Sequence, residues 1–201
     1  MEILTEKIIL ATKNENKIRE IRRIFQNDQL AGLSAYPDIK EIEENGTSFQ
    51  ENAILKATGY FKQIKIPVIA EDSGLVVPAI QGAPGIYSAR YAGPDANSAE
   101  NNRKLLLEMK NIPEDQRCAY FICCAVYYDG RQTITAEGRV TGIITRFPRG
   151  TSGFGYDPVF LIPEYGKTFA ELGLSVKNRI SHRRNAFLAL KEKLEKYRRQ
   201  I

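Results

Sequence analysis

The sequence predicts an α/β protein in which helices flank a mixed β-sheet. Strand and helix patterns alternate through the first part of the chain, and a β-hairpin pattern follows them. Alternating elements are typical of parallel strands joined by helices, whereas a hairpin adds antiparallel strands to the sheet. At 201 residues the chain is long enough for one sizeable core. We therefore expect a single domain over residues 1–201.

The first strand and helix are predicted close to the start of the sequence. Lys7–Ala11 is a short apolar strand, and Thr12–Asn16 forms a polar turn after it. Asn14 is well suited to cap the helix that follows. That helix carries apolar residues at helical spacing, namely Ile18, Ile21 and Phe25.

A second helix is predicted to begin at Thr47 or Ser48. Gln50 or Glu51 lies three residues later, which completes a capping-box pattern. The spacing predicts a buried stripe made of Phe49, Ala53, Ala57 and Phe61. It predicts a separate polar face made of Ser48, Asn52 and Lys56.

The middle of the chain predicts a strand, a long loop and a third helix. Pro67–Ala70 is a compact buried strand that ends directly in the polar stretch Glu71–Gly74. Pro78–Ala96 is rich in glycine and proline and is expected to be a long ordered loop. Asn97–Lys110 is expected to be a helix with Ser98 as its cap.

The last part of the chain predicts a hairpin, a glycine-rich turn and a terminal helix. Arg117–Tyr128 and Gln132–Val140 are two strands joined at Asp129-Gly130, which is a strong hairpin signal. The glycine-rich turn leads into the short strand Val159–Ile162. Ser181–Arg199 has the apolar spacing of an amphipathic helix.

The composition excludes several classes of protein. Hydrophobic residues make up 43% of the chain, yet the apolar runs are too short to cross a bilayer, and no signal peptide is apparent. We therefore expect no membrane partner and a cytoplasmic location. The three cysteines lie between Cys118 and Cys124 without CxxC spacing, which favours buried reduced thiols over disulfides or a zinc site. The net charge of +5 favours an anionic partner without choosing between nucleic acid and a small phosphorylated ligand.

Two segments have the chemistry of phosphate and metal binding. Thr12–Lys17 joins a strand to a helix, so backbone N–H groups and the positive helix end meet there, as a phosphate requires. An ordinary capped turn explains the same segment. The sequence also has an acidic set, namely Glu41, Glu43, Glu44, Glu71 and Asp72. The carboxylates of Glu71 and Asp72, at the end of a buried strand, are hard oxygen ligands of the kind that Mg²⁺ takes. Glu43, Glu44 and Lys56 would converge on them if the second helix packs beside the strand. A solvated acidic loop and a plain turn explain these residues equally well.

Two further segments are candidates for ligand binding. In Ser152–Pro158 glycines flank an aromatic residue, so the backbone can approach a ligand while the ring is available for stacking. A structural loop with a buried phenylalanine is the alternative interpretation. Lys177, His182 and Arg183 offer donors for an anion or a base carbonyl. A lone histidine is nevertheless more often structural.

Taken in order, these segments resemble a known family. The motifs are ATKNENK, ENGTSFQENAILKA, AEDSGL, GAPGIYSARYAG, SGFGYDPVF and ISHR. They resemble the inosine/xanthosine triphosphate pyrophosphatases, the Ham1/RdgB-type family that acts on non-canonical purine nucleotides. The resemblance runs from Ile8 to about Leu190. It departs at Asn16, where many members have glycine, and at Glu71, where others have aspartate.

The resemblance implies a fold and an activity. The fold would be a long mixed β-sheet dividing two lobes, with the active site in the cleft between them. The activity would be hydrolysis of XTP, ITP and dITP to the monophosphate and pyrophosphate, by attack of water on the α-phosphorus. Mg²⁺ would be the cofactor, with Mn²⁺ as an alternative. The enzyme would be a cytoplasmic homodimer that binds nucleotides and no nucleic acid.

The resemblance also implies a role for each matching residue. Glu44 and Asp72 would hold the metal, and Asp72 would also act as the general base. Ser73 would touch the substrate, and Lys56 would contact phosphate. The triphosphate would be bound by Thr12, Lys13, Asn14, Glu15, Asn16 and Lys17. The base pocket would be formed by Phe154, Gly155, Tyr156, Asp157, Lys177, His182 and Arg183.

Three other functions are consistent with parts of the sequence. A Maf-type nucleotide pyrophosphatase cleaves the same bond but prefers other bases, and the FGYDP and SHR segments argue against it. A basic nucleic-acid-binding module would explain the net charge and predicts salt-dependent affinity, but it leaves the acidic strand unexplained. A catalytically inactive homologue would lack an essential motif, and none is missing.

Overall fold

A computed structural model of the chain describes residues 7–26 and 30–199, with the backbone alone described for Asn16. It contains a seven-stranded sheet in the order β2-β1-β3-β4-β5-β6-β7. The strands are β1 Ile9–Leu10, β2 Ala31–Gly32, β3 Val68–Val76, β4 Cys118–Tyr128, β5 Thr133–Ile144, β6 Phe160–Ile162 and β7 Lys167–Thr168. The α-helices are α1 Glu15–Phe25, α2 Phe49–Ile64, α3 Ser98–Glu108, α4 Phe169–Ile180 and α5 His182–Arg198.

The sheet is mixed, as the sequence predicts. Strand β1 is parallel to both of its neighbours, β2 and β3. Strand β6 is antiparallel to β5 and to β7. The α/β prediction is therefore confirmed, because helices connect the parallel strands and a hairpin introduces the antiparallel ones.

The described residues fall into two compact units. The first unit comprises the ranges Met1–Asp72, Cys123–Gly138 and Arg183–Ile201, and the second comprises Ser73–Ile122 and Arg139–His182. Every helix in the described part of the chain is too short or too polar to cross a membrane. The expected single domain over residues 1–201 stays a prediction.

Each unit has its own apolar core. In the first unit, α1 buries Ile21 and Phe25, and α5 buries Phe187 and Leu190. The rings of Phe25 and Phe187 meet edge to face at 6.2 Å. The apolar spacing predicted for these two helices is thus confirmed. In the second unit the core includes Phe121, Phe160 and Phe169, whose rings contact one another.

Several predicted elements begin or end differently in the structure. Strand β1 is shorter than Lys7–Ala11, and α1 begins at Glu15, so Asn16 lies in the helix rather than in a turn. Asn14 does cap α1, because its Oδ1 accepts a hydrogen bond from the Lys17 N–H at 3.4 Å. Ser48 caps α2 by accepting from the Glu51 N–H. The cap of α3 is Asn97 rather than Ser98, and Asn97 forms a complete capping box with Glu100.

The predicted faces of α2 are partly wrong. Ala53 and Ala57 are buried, but Phe49 and Phe61 are only half-buried. Asn52, assigned to a polar face, is 2% exposed. The reason is that the polar face of α2 turns towards other polar side chains of the same unit, as described below, and not towards solvent.

The second half of the chain contains a strand, β7, and a helix, α4, that were not predicted, and one predicted strand is longer than expected. The hairpin is confirmed, and the Asp129 carboxylate accepts hydrogen bonds from the Arg131 and Gln132 N–H groups in its turn. Strand β5 runs to Ile144, beyond the predicted end. Helix α4 was not predicted, because Gly173, at φ 72°, interrupts its helical spacing. The thiols of Cys123 and Cys124 are buried and reduced as expected, but Cys118 is exposed.

Candidate active site

Strand β3 carries Glu71 and Asp72 in its interior. The sequence predicted a strand ending at Ala70, but the structure continues it through both carboxylates to Val76. That prediction was wrong because a run of polar residues was taken as a turn. Successive side chains of a strand point to opposite faces, so Glu71 and Asp72 meet different partners.

Asp72 belongs to a cluster centred on the Lys56 ammonium. Lys56 Nζ lies 3.0 Å from Glu44 Oε2 and 3.6 Å from Asp72 Oδ1. The Asn52 side-chain amide donates to Asp72 Oδ2 at 3.2 Å. Asn52 and Lys56 reach the same carboxylate because residues four apart share one face of a helix. The predicted convergence of Lys56 on the acidic residues is thus present in the structure.

The electrostatics of this cluster follow from burial and opposite charges. Burial raises the pKa of the Asp72 carboxyl, more than the Lys56 ammonium lowers it, and the Glu44 carboxylate raises it further. Burial would lower the pKa of Lys56, but the Asp72 and Glu44 carboxylates outweigh burial and raise it. Lys56 therefore stays charged, while Asp72 is a stronger base than a solvated aspartate.

Glu71 belongs to a second network, in which its own carboxylate and the Arg183 guanidinium are fully buried. Its Oε1 lies 2.5 Å from Lys17 Nζ and 3.4 Å from Arg183 Nη2. Arg183 Nη1 pairs with Glu20 Oε2 at 3.0 Å, and the Cys123 thiol donates to Glu71 Oε2 at 3.2 Å. Burial alone would raise the pKa of Glu71, but the Arg183 guanidinium and the Lys17 ammonium hold it well below its usual value. Glu71 is thus an ionised carboxylate with two cationic partners.

A polar pocket of about 270 Å³ lies in the first unit beside these clusters. Its charged lining residues are Lys13, Lys17, Glu41, Glu44, Lys56 and Glu71. Lys17 is 25% exposed and Lys56 is 12% exposed, so each ammonium is paired with a carboxylate but still open to the pocket. Cations held in this way can exchange a carboxylate partner for an incoming anion.

The turn before α1 forms one end of the pocket. Thr12 Oγ1 accepts from the Asn14 N–H at 3.1 Å, which orders the turn. Lys13 Nζ pairs with the exposed Glu41 at 3.3 Å. Glu15 is exposed at the start of α1, and the side chain of Asn16 lies outside the described residues. Thr12, Lys13 and Lys17 therefore lie together along the pocket, as the sequence predicted.

The second unit holds a different cluster, around a buried ion pair. Lys177 Nζ lies 2.5 Å from Asp157 Oδ2, and both side chains are almost fully buried. The same ammonium is 4.2 Å from the centre of the Phe154 ring, which is 40% exposed. Asp157 Oδ2 also accepts from the Phe154 N–H at 2.9 Å. Phe154 is thus an exposed ring fixed beside a cation.

The remaining predicted base contacts lie in several places. His182 stacks on the Phe121 ring at 4.8 Å and is 5% exposed. Tyr156 is a core residue whose hydroxyl donates to the Ser88 carbonyl at 2.8 Å. Gly155 adopts φ +63°, a conformation that favours glycine. The Arg183 guanidinium lies in the first unit with Glu20 and Glu71.

The donor set suits a hard divalent cation. The described residues contain no cluster of three or more histidine, cysteine, aspartate or glutamate side chains that could hold a metal by themselves. Glu44 and Asp72 do converge on one positive charge, the Lys56 ammonium. Mg²⁺ typically takes one or two carboxylates and completes its shell with waters and substrate phosphates. Two convergent carboxylates beside a phosphate-sized pocket therefore fit such an ion.

Comparison with known proteins shows to which family the chain belongs. The family model described as Ham1 family matches residues 8–193 of the chain. The chain belongs to the Ham1 family. A dITP/XTP pyrophosphatase of Geobacillus kaustophilus is 48% identical over 193 residues, which is 94% of this chain and 95% of that protein. A dITP/XTP pyrophosphatase of Listeria monocytogenes is also 48% identical, covering 94% of each chain.

Solved structures of Ham1 proteins share the fold. The Staphylococcus aureus Ham1 protein matches with a TM-score of 0.88 and 40% identity, covering 96% of this chain and all of that one. A HAM1 protein from Coxiella burnetii matches with a TM-score of 0.86 and 35% identity. The family resemblance drawn from the sequence is therefore confirmed over nearly the whole chain.

Sequence reasoning left two members of these clusters without a role. Glu71 was recognised as a carboxylate, but its partners Lys17 and Arg183 are far from it in sequence and could not be paired with it. Asn102 of α3 donates to the Gly155 carbonyl at 3.0 Å, within the second unit. No pattern in the sequence distinguishes Asn102 from the asparagine beside it.

Proposed function

We propose that the protein hydrolyses non-canonical purine nucleoside triphosphates, namely XTP, ITP and dITP, to the monophosphate and pyrophosphate. The observation that carries the proposal is the pair of carboxylates, Glu44 and Asp72, around the Lys56 ammonium. It is supported by the adjoining pocket, which is lined by further lysines. Relatives with 48% identity over nearly the whole chain are named dITP/XTP pyrophosphatases, and the chain carries the same type of activity.

We propose that the triphosphate binds in the polar pocket of the first unit. Lys17 and Lys56 are its principal cations, and the segment from Thr12 to Asn16 supplies N–H groups and the positive end of α1. In the structure both lysines are bonded to carboxylates. Phosphate oxygens would take the place of those carboxylates as partners. Lys13, Glu15 and Ser73 remain proposed substrate contacts.

Glu44 and Asp72 are the proposed ligands of a divalent metal, Mg²⁺ or Mn²⁺. When bound, the ion supplies positive charge that offsets the charge developing on the phosphates. Asp72 is also the proposed general base. It accepts the proton of the water whose oxygen attacks the α-phosphorus, and pyrophosphate leaves with the electron pair of the broken P–O bond. The raised pKa of Asp72 favours this role, because proton transfer improves as the pKa approaches the working pH.

The purine base is proposed to bind in the second unit beside Phe154. The exposed ring offers a stacking surface, and the Lys177 ammonium behind it fixes its position. Xanthine and hypoxanthine carry a carbonyl at the purine 6-position, which satisfies hydrogen-bond donors there. Adenine carries an amino group at that position and would leave a buried donor unpaired, at a cost of about 1–3 kcal/mol. Base contacts by Gly155, Tyr156, Asp157, His182 and Arg183 stay predictions.

The expected assembly is a homodimer in the cytoplasm. Light scattering would test the dimer, with a monomer mass of 22.7 kDa as the contrary result. Fractionation of cells that express the protein would test the location.

The first experiment measures release of pyrophosphate from ITP, XTP, dITP, GTP and ATP, each with Mg²⁺ and with EDTA. We expect metal-dependent release with ITP, XTP or dITP favoured over ATP and GTP by about ten-fold or more, a difference of roughly 1.4 kcal/mol. Release of inorganic phosphate instead would contradict the proposed bond. Equal turnover of ATP would contradict the proposed base selectivity.

A further inference from the structure

Helix α3 is tied to the glycine-rich loop of the second unit by one side chain. The Asn102 amide donates from Nδ2 to the Gly155 carbonyl at 3.0 Å. Asn102 is 5% exposed, and within the described residues its Oδ1 is buried and accepts no hydrogen bond. The amide is therefore oriented by its donor alone, and that donor is directed at the loop.

The loop has little packing to hold it at the point where Asn102 reaches it. A Cβ placed on Gly155 would meet no atom within 4 Å, so the space beside this residue is open. The loop also borders a cavity of about 670 Å³. Asn102, Gly153, Phe154 and Gly155 are among the residues that line the cavity. On this open side, the hydrogen bond from Asn102 and not close packing restrains the Gly155 peptide.

We propose that Asn102 is a positioning residue for base recognition, acting through the Gly155 peptide on the adjacent Phe154 ring. This inference rests on the proposed function, in which Phe154 stacks on the purine base. Asp157 holds the backbone of Phe154, because its carboxylate accepts from the Phe154 N–H at 2.9 Å and its own N–H donates to the Phe154 carbonyl at 3.3 Å. Asn102 holds the Gly155 carbonyl, one peptide further along the loop. Loss of the Asn102 donor frees the Gly155–Tyr156 peptide to turn towards the neighbouring cavity. The backbone beside Phe154 is then less firmly held, and the ring spends less time in the stacking position.

The adjacent residue, Asn101, provides a matched control. It is also 5% exposed on α3, and its amide donates to the Ala89 carbonyl at 3.2 Å. Its Oδ1 accepts from the Ala92 N–H at 2.7 Å. Asn101 therefore ties the same helix to a different segment. Replacing Asn101 removes the same chemical group at the same depth without touching the glycine-rich loop.

The experiment compares Asn102→Ala and Asn102→Leu with Asn101→Ala. Leucine retains most of the side-chain volume but has no donor, so it covers the case in which the alanine variant folds poorly. We expect either Asn102 variant to raise KM for ITP by about 3- to 10-fold, which is the usual contribution of one hydrogen bond to binding. The kcat should stay within about two-fold of the wild-type value. Inhibition by inorganic tripolyphosphate, which has no base, should be unchanged. Asn101→Ala should leave both quantities unchanged relative to the wild type.

Three results would overturn the inference. They are an unchanged KM in both Asn102 variants, an equal loss of tripolyphosphate affinity, and an equal rise of KM in Asn101→Ala. Calorimetric binding of ITP in EDTA separates this inference from the proposed function, because it needs no turnover. If the wild type bound ITP without hydrolysing it, only the proposed activity would be contradicted. The inference about Asn102 would still be tested, by comparing the dissociation constants of the Asn102 variants and the wild type for ITP. A wild type that neither binds ITP in EDTA nor hydrolyses it with Mg²⁺ would overturn both.

Discussion

The two units differ in how open their lysine ion pairs are to solvent. In the first unit, Lys17 and Lys56 pair with carboxylates at 2.5 Å and 3.0 Å but remain partly exposed to a polar pocket. In the second unit, Lys177 and Asp157 form a pair in which both side chains are no more than 4% exposed, and aromatic rings surround the ammonium. The first arrangement leaves cations accessible to a new anion, whereas the second fixes a cation in place.

This difference indicates which part of a nucleotide each unit is suited to bind. A triphosphate with a metal ion carries charge that must be neutralised on arrival, so it needs lysines that can change partners. A purine base is flat and aromatic, so it needs an exposed ring held still. The charged pocket and the Phe154 ring meet these two requirements.

Asp72→Asn should produce the largest loss of activity. Asparagine keeps the shape of the side chain but cannot accept the proton of the attacking water, and loss of such a group costs about 100- to 10,000-fold in rate. We expect normal folding and a kcat reduced by that factor, measured as pyrophosphate release from ITP. Asp115→Asn makes the same change at an exposed position and should have no effect. Near wild-type turnover of Asp72→Asn would refute its role as the base.

Arg183→Met should produce the largest loss of stability. Removing the guanidinium leaves Glu71 buried with Lys17 as its cation, and breaking a buried pair in this way costs about 3–5 kcal/mol. Urea unfolding would measure the change in the free energy of unfolding. Arg149→Met is the control, because Arg149 pairs with Glu171 at the surface and its loss should matter far less. Equal costs for the two variants would show that the first unit does not depend on its inner ion pairs.

The sequence predicted the parts of the fold that local spacing controls. The apolar spacing was sufficient to predict α1 and α5, and the pair Asp129-Gly130 was sufficient to predict the hairpin turn. Each of these patterns depends on residues that are close together in the chain. The continuation of β3 could not be predicted. Glu71 can lie inside a strand only because Lys17 and Arg183 neutralise it, and those residues lie 54 and 112 positions away from it.

The candidate site, too, could be predicted from the sequence only in part. Motifs in family order identified Glu44, Lys56 and Asp72 together, and the structure does bring them together. The same motifs grouped Arg183 with His182, its neighbour in the chain, but the structure places the Arg183 guanidinium on Glu20 and Glu71. A motif records which residues occur together, whereas the direction of each side chain depends on helix geometry and on distant partners.

Phe154→Ala should weaken base binding without weakening phosphate binding. The ring is 40% exposed, so its removal should cost little stability. Loss of one aromatic stacking contact is worth about 0.5–1.5 kcal/mol, which corresponds to about a 2- to 12-fold rise in KM for ITP. Phe147→Ala removes another ring of the second unit, 64% exposed, and serves as the control. If Phe154→Ala also weakened inhibition by tripolyphosphate, the proposal that one cluster binds the base and the other binds the phosphates would be contradicted.

Asn97→Ala should have the smallest effect and should act on stability alone. Asn97 Oδ1 accepts from the Glu100 N–H at 3.1 Å, and loss of such a cap costs about 1 kcal/mol, measured by urea unfolding. Ser98→Ala, one residue later, should cost less because Ser98 is not the cap. The first turn of α3 precedes Asn102, so the hydrogen bond to the Gly155 carbonyl should survive and KM for ITP should stay within about two-fold of wild type. If Asn97→Ala raised KM as much as Asn102→Ala, the aromatic cluster would depend on the stability of α3 as a whole. The Phe154 ring would then be held less firmly than we infer from the comparison of the two units.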